Sequence, residues 1–362
     1  MNRPIPKSMR AIVYRGIDDL RLEEVPVPTI RSDEILVRVA ACGVCPTDIK
    51  KIHHGTVPPP RIFGHETAGT VVRLGARVRG LRLGDRVALH HHVPCLDCHA
   101  CRHRAFAQCE TYKRTGITAG FEPAGGGYAE YVRVMAFCLP GVVKVPTRTT
   151  FEEAAMLEPV NTVLKGVRRL GLLPGDTVMV AGQGPIGLLF TRLLRLEGAR
   201  VIATDLLDSR LQLARRWGAT VALRADRPDL VDRLRAATPR SRRGLDAAVL
   251  AVPSNAALHQ AIEACRGAGR VLLFAHTRRN DSEPVDLASI CVDEKDLIGS
   301  YSADVTLQPE VARLVFRRRL DVRPLITHRF PLERTADAVA RASQPTPDSL
   351  KIIVSPLEAM PA

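Results

Sequence analysis

The stretch Thr177-Val-Met-Val-Ala-Gly182-Gln-Gly184-Pro-Ile-Gly187 limits the architecture of this chain more than any other feature. Five residues, mostly apolar or β-branched, read as a strand buried on both faces, and the apolar-rich residues 185–197 read as a helix. The three glycines between them have separate uses. The first allows a tight turn, the second lets backbone approach a pyrophosphate, and the third lets helix and strand pack closely, with the anion on the helix N-terminus. Eighteen residues after Gly187, the next apolar run ends in Asp205. An acid there accepts from an adenine-ribose 2′-hydroxyl and repels a 2′-phosphate. The pattern predicts a dinucleotide site at Gly182, Gly184, Pro185, Ile186, Gly187 and Asp205, and it favours NAD over NADP. Arg210 is near enough in sequence to serve a phosphate, which keeps NADP open. The plain alternative is a βα turn whose glycines are required by sterics alone.

Around that turn the texture is periodic. Predicted helices over 151–170, 185–197, 209–217, 229–236 and 254–264 alternate with predicted strands over 177–181, 200–204, 220–222, 245–251 and 270–275. Alternation of this kind implies a parallel, doubly wound sheet over 152–292. Residues 1–151 have a different texture. Short runs over 11–14, 34–40, 70–74, 86–90 and 128–134, punctuated by Gly, Pro and Asp, suit an irregular β-rich domain with long loops. The tail, 293–362, has a predicted helix over 309–318 and a strand over 349–354, with no βα repeat of its own. It is expected to return to the first domain, making an α/β chain of two domains, as a length of 362 residues suggests.

Nine cysteines are an odd number for a disulfide framework, and four of them, Cys95, Cys98, Cys101 and Cys109, crowd into fifteen residues. Four thiolates from one loop close a tetrahedral zinc shell and leave no position for substrate, so this zinc is structural, folding a lobe over 90–112. His90, His91, His92, His99 and His103 also lie in the lobe and are expected to be surface or supporting groups. The net charge of +14 comes almost wholly from scattered arginines, the densest stretch being Arg235–Arg243. A basic chain with a four-cysteine module also fits a zinc ribbon that binds nucleic acid, but that reading leaves the glycine turn unused. No apolar run reaches membrane-spanning length and residues 1–16 hold no apolar secretory core, so a cytoplasmic location is expected, with no membrane partner.

A third group is more dispersed. Cys45-Pro-Thr47-Asp48 follows Gly43-Val44; Gly64-His65-Glu66 comes twenty residues later; Leu157-Glu158-Pro159 opens the helix before the glycine turn. One thiolate, one imidazole and one or two carboxylates form a mixed set suited to a catalytic zinc with a position left open.

Taken with the lobe, Gly125-Gly-Gly-Tyr-Ala-Glu-Tyr131 and the glycine turn, these pieces stand in an order that resembles the zinc-containing medium-chain dehydrogenases, most closely their polyol (sorbitol-like) and threonine dehydrogenase branch. The resemblance implies a GroES-like catalytic domain made of both chain ends, a Rossmann domain between them, and an active site in the cleft. It implies that Cys45 and His65 bind the catalytic zinc, that Glu66 is a ligand or close neighbour, and that Glu158 stands where classical alcohol dehydrogenases carry a cysteine. Thr47 matches the family's proton-accepting Ser or Thr; a hydroxyl capping a local turn is the alternative. The implied activity is oxidation of a secondary hydroxyl of a polyol, sugar, cyclitol or amino alcohol, with two zinc ions per chain and a homodimer or homotetramer. An L-threonine 3-dehydrogenase or a general secondary alcohol dehydrogenase is the alternative within the family. An aromatic content of 4% argues against a pocket for bulky apolar alcohols. Two positions depart from the family: Lys50 where relatives carry a His, with His53 or His54 as substitutes, and Lys165 where sorbitol-type relatives often have His. Substrate contacts are expected from 51–60 and 299–306, with Tyr301 and Ser302 as candidates.

Overall fold

The computed structural model describes residues 4–90, 93–114, 125–239, 244–275, 282–344 and 346–356. It divides into two compact units, Met1–Asn161 with Ser302–Ala362, and Thr162–Tyr301. The first opens with an antiparallel hairpin of β1 (Ser8–Gly16) and β2 (Asp19–Pro26). β2 carries no apolar signature in the sequence, because four of its residues are charged and it buries only Val25. β3 (Ile35–Gly43) is the central strand, with Ile35, Leu36, Val37 and Val39 fully buried. It pairs antiparallel with β4 (Glu66–Leu74), which carries β5 (Arg86–Ala88); β6 (Tyr131–Val134) pairs with β3, and β7 (Val143–Lys144) with β5. The β3–β4 register sets Gly43 opposite Glu66, so the residues just past each of those strand ends, Cys45 and His65, become neighbours. Tyr14 and Phe63, with ring centroids 5.2 Å apart, help fill the core beneath.

The second unit is a six-stranded parallel sheet of β8 (Thr177–Ala181), β9 (Arg200–Asp205), β10 (Val221–Arg224), β11 (Leu245–Leu250), β12 (Cys265–Leu273) and β13 (Asp296–Gly299). Its order is β10-β9-β8-β11-β12-β13. The order reverses between β8 and β11, which is where open α/β sheets receive ligands, and the glycine turn follows β8. All five residues of β8 are buried. β13 lies beyond residue 292, so the second unit ends after Tyr301 and begins after Asn161, later at both crossovers than the sequence texture suggests. A four-residue edge strand with Leu297 partly exposed carries too little periodicity to be read. The expected single helix over 151–170 is two, Phe151–Ala155, capped reciprocally by Thr150 and Glu153, and Leu157–Leu170.

The chain then returns to the first unit with β14 (Ile326–Pro331) and β15 (Lys351–Ser355). β15 runs parallel to β14 and antiparallel to β3, with Ile353 opposite Gly43, completing the order β14-β15-β3-β4-β5-β7. Among the described residues, no helix is long and apolar enough to cross a membrane.

Candidate functional site

Local geometry brings the dispersed residues together. Cys45 is the N-cap of helix Pro46–His54: its sulfur accepts from the Thr47 N–H at 3.5 Å, so the cap is the thiol and not the Thr47 hydroxyl. Gly64 holds φ +97°, a conformation that favours glycine, and a Cβ there would meet Cys42 Sγ at 2.7 Å and the Tyr128 nitrogen at 2.9 Å. The glycines before Tyr128 serve the same packing, since a Cβ on Gly126 would strike the carbonyls of Ile62 and Phe63. Cys42 is fully buried, and burial pushes its thiol up to about 12, as befits a packing residue.

Donor atoms of Cys45, His65 and Glu66 all lie within 4.8 Å of one another. His65 Nδ1 donates to Asp48 Oδ1 at 3.1 Å, which leaves Nε2 as the ring's ligand atom. Asp48 is fully buried and its Oδ2 has no hydrogen-bond partner among the described residues. Burial opposes ionisation of Asp48, yet His65 beside it holds the carboxyl below its usual range; burial likewise opposes the His65 cation, which Asp48 and Cys45 nonetheless favour. Glu66 is paired with the buried Lys351 ammonium, and a Cβ on Gly43 would occupy the space its carboxylate takes. Glu158 is buried and within electrostatic reach of His65, Glu66, Lys351 and Asp48, but it lies outside the three-residue donor set. Burial pushes its carboxyl up to about 7. A thiol, an imidazole backed by a carboxylate, and further buried acids against one lysine make a site whose negative charge calls for a divalent cation. The residues fit zinc.

The cysteine lobe fits zinc on geometric grounds. Cys95, Cys98, Cys101 and Cys109 have all sulfurs within 4.8 Å, with Sγ–Sγ distances of 3.9 Å for Cys95–Cys101 and 3.5 Å for Cys98–Cys101. A tetrahedron built on a zinc–sulfur bond of about 2.3 Å has edges of about 3.8 Å. Backbone N–H groups of Cys98 and Cys95 donate to the sulfurs of Cys95 and Cys109, as suits thiolates. The His99 and His103 rings meet at a tilt of 53° and stand outside the sulfur set, and His90 is buried elsewhere in the unit; His91 and His92 lie outside the described residues, as does the end of the arginine stretch, 240–243.

In the second unit the glycine turn runs from β8 into helix Pro185–Leu196, with Gly184 as its N-cap and Pro185 in the first turn. Gly182 has φ +86°. A Cβ on Gly187 would lie 1.7 Å from the Gly182 carbonyl oxygen, whereas one on Gly184 would meet, among the described residues, only Arg210 Nη1, at 3.8 Å. Glycine at 187 is therefore a packing necessity, and at 184 nothing among the described residues demands it. Asp205 accepts from the N–H groups of Gln183 (2.6 Å) and Leu207 (2.9 Å), so it also shapes the turn. Gln183, fully buried and bonded to Val180 and Thr191, braces it from beneath.

Several candidates sit elsewhere. His53 contacts Asp18 and Ser343, and the nine-residue helix separates it from Cys45 by about 12 Å. His54 is exposed at the same end, and burial lowers the Lys50 ammonium. Lys165 donates to the Tyr301 carbonyl at 2.8 Å, and Ser302 bonds to Tyr112 of the cysteine lobe at 3.2 Å. Sequence reasoning missed the roles of Asp48 and Lys351. Asp48 was open to discovery, three residues from Cys45 in one helix; Lys351 was not, because only the closing strand β15 brings it to Glu66.

Residues 31–147 match the alcohol dehydrogenase GroES-like domain, and residues 185–317 match the zinc-binding dehydrogenase family. The chain is 30% identical to sorbitol dehydrogenase of Bacillus subtilis (strain 168), covering 98% of this chain and 99% of that one. The chain belongs to the zinc-containing medium-chain dehydrogenases. It is 31% identical to the probable D-xylulose reductase A of Arthroderma otae over 89% of this chain and 90% of that protein. A putative zinc-binding dehydrogenase from Sinorhizobium meliloti 1021, bound to NADP, superimposes with a TM-score of 0.87 at 27% identity, covering 97% and 100% of the two chains. The family is one of oxidoreductases that use zinc and a nicotinamide dinucleotide. Its GroES-like match includes the cysteine lobe, which sets aside the nucleic-acid alternative.

Proposed function

We propose that this dehydrogenase oxidises a secondary hydroxyl of a polyol or related sugar, with NAD as hydride acceptor, at a zinc held by Cys45, His65 and Glu66. The convergence of those three donors, with Asp48 behind the imidazole, is the observation that carries the reading. The sorbitol dehydrogenase and D-xylulose reductase relatives support a polyol. When bound, the metal supplies Lewis acidity toward a hydroxyl and the nicotinamide supplies a hydride acceptor. The chain's residues do the rest. Asp48 fixes the His65 tautomer. Thr47, whose hydroxyl is not spent on the cap, would relay the alcohol proton, accepting it as its own hydroxyl proton passes on toward the cofactor ribose and water. Glu158, a buried acid within electrostatic reach of His65 and Glu66, would add negative charge beside the bound metal.

Gly182, Gly184, Pro185, Ile186 and Gly187 cradle the pyrophosphate, assisted by Arg210. Asp205 favours NAD: its carboxylate is pinned by two backbone amides and would repel a 2′-phosphate. Cys95, Cys98, Cys101 and Cys109 hold the second, structural zinc. A homodimer or homotetramer follows from the resemblance. The test is a panel of polyols, sugars, cyclitols and amino alcohols followed by NADH absorbance. Turnover of a polyol that disappears in Cys45→Ser and His65→Ala supports the proposal, and a folded, zinc-loaded enzyme that oxidises none of them refutes it.

A further inference from the structure

Lys351 is 4% exposed and begins β15, the strand that closes against β3. Its ammonium forms an ion pair with Glu66 Oε2 and donates a hydrogen bond to the Val44 carbonyl at 2.9 Å. Val44 immediately precedes Cys45, and its own N–H donates to the Ile352 carbonyl at 2.9 Å. One residue of the C-terminal strand therefore grips both segments that bring donors to the three-residue set. Gly43 makes the arrangement possible, because a Cβ there would fall 1.9 Å from Glu66 Oε2 and 2.8 Å from Lys351 Cε.

We infer that Lys351 is a positioning residue for the metal: by engaging Oε2 of Glu66 and the carbonyl beside Cys45, it presents Glu66 as a one-oxygen donor and sets the spacing of the donors. The inference rests on the assignment of Cys45, His65 and Glu66 as ligands. A carboxylate with one oxygen committed to a buried ammonium keeps the other for a cation and resists closing on it with both. That limits Glu66 to one position in the coordination shell and preserves another for substrate. Partners behind a ligand that act in this way commonly account for about 10- to 100-fold in metal affinity or activity.

The experiment uses the full-length enzyme with cobalt(II) at the catalytic site, whose visible absorption reports donor number and geometry, together with chelator competition on the zinc form. Lys351→Met is expected to weaken metal retention about 10- to 100-fold and to shift and weaken the cobalt band. Lys351→Arg, which keeps the charge, is expected to recover part of both. Lys351→Gln, which removes the charge but can still donate to the Val44 carbonyl, is expected to change the same band, and it decides the matter if Lys351→Met does not fold. A cobalt spectrum and chelator curve identical to wild type in these variants overturn the inference. If Cys45→Ser and Glu66→Gln also leave the cobalt spectrum unchanged, the ligand assignment itself fails. If only those two change it, the assignment stands and Lys351 has no part in it.

Discussion

Alanine at Gly184 and at Gly187 should have opposite consequences. At Gly187 the new Cβ lies 1.7 Å from the Gly182 carbonyl oxygen, against an ordinary carbon–oxygen contact of about 3.3 Å or more. Backbone must move by more than 1 Å, an overpacking that costs about 1–3 kcal/mol or more and lowers melting by about 2–4 °C for each kcal/mol in a domain of this size. At Gly184 the backbone has φ −69°, open to any residue, and among the described residues the Cβ meets only Arg210 at 3.8 Å. The weaker N-cap and the lower entropy of the unfolded chain offset each other to within about 1 kcal/mol. Gly184→Ala should therefore melt like wild type. Its methyl group would project where backbone approaches a pyrophosphate, and a comparable overpacking of about 1–3 kcal/mol weakens NADH binding about 5- to 140-fold. Thermal melting and titration of NADH fluorescence read the two effects separately. Wild-type NADH affinity in a normally melting Gly184→Ala refutes the pyrophosphate assignment, and wild-type melting of Gly187→Ala refutes the packing argument.

Three further outcomes follow from the geometry. Cys98→Ser should reduce zinc from two ions per chain to one and open the lobe to protease, because its own core is little more than Phe106 and the buried sulfurs; an unchanged zinc content contradicts this. Gly64→Ala should cost about 2–4 kcal/mol by chemical denaturation, from a positive φ and contact with the Tyr128 backbone; a loss below about 1 kcal/mol would show that the loop yields freely. In metal-free protein, burial holds the Glu158 carboxyl at about 7, above its unfolded value, so its contribution to stability is complete in acid and lost as pH rises through 7. Metal-free Glu158→Gln should then melt above metal-free wild type at pH 8, with the gap closing toward pH 5; a gap independent of pH opposes the assignment.

The features legible in the sequence are those whose physics is local. Gly182, Gly184 and Gly187 sit within one turn, and the four lobe cysteines within fifteen residues, so spacing alone conveys their geometry. Cys45 and His65 were legible only as motif pieces; the register that makes them neighbours, Gly43 opposite Glu66, is a property of the paired strands. Lys351 pairs with Glu66 across most of the chain, and no periodicity announces that pairing. Sequence offered both Glu66 and Glu158 beside Cys45 and His65; among the described residues the carboxylate grouped with those two within 4.8 Å is that of Glu66, a grouping that strand register and not spacing produces. β13 escaped because a short, half-exposed edge strand lacks the apolar run that marks β8.

Zinc content measured alongside polyol-dependent NADH formation, in wild type and Cys45→Ser, tests the central claim most directly. Wild type should carry two zinc ions per chain and turn over, and Cys45→Ser should keep the lobe ion, lose the other and form no NADH. A Cys45→Ser protein that retains both ions and full turnover would contradict the account.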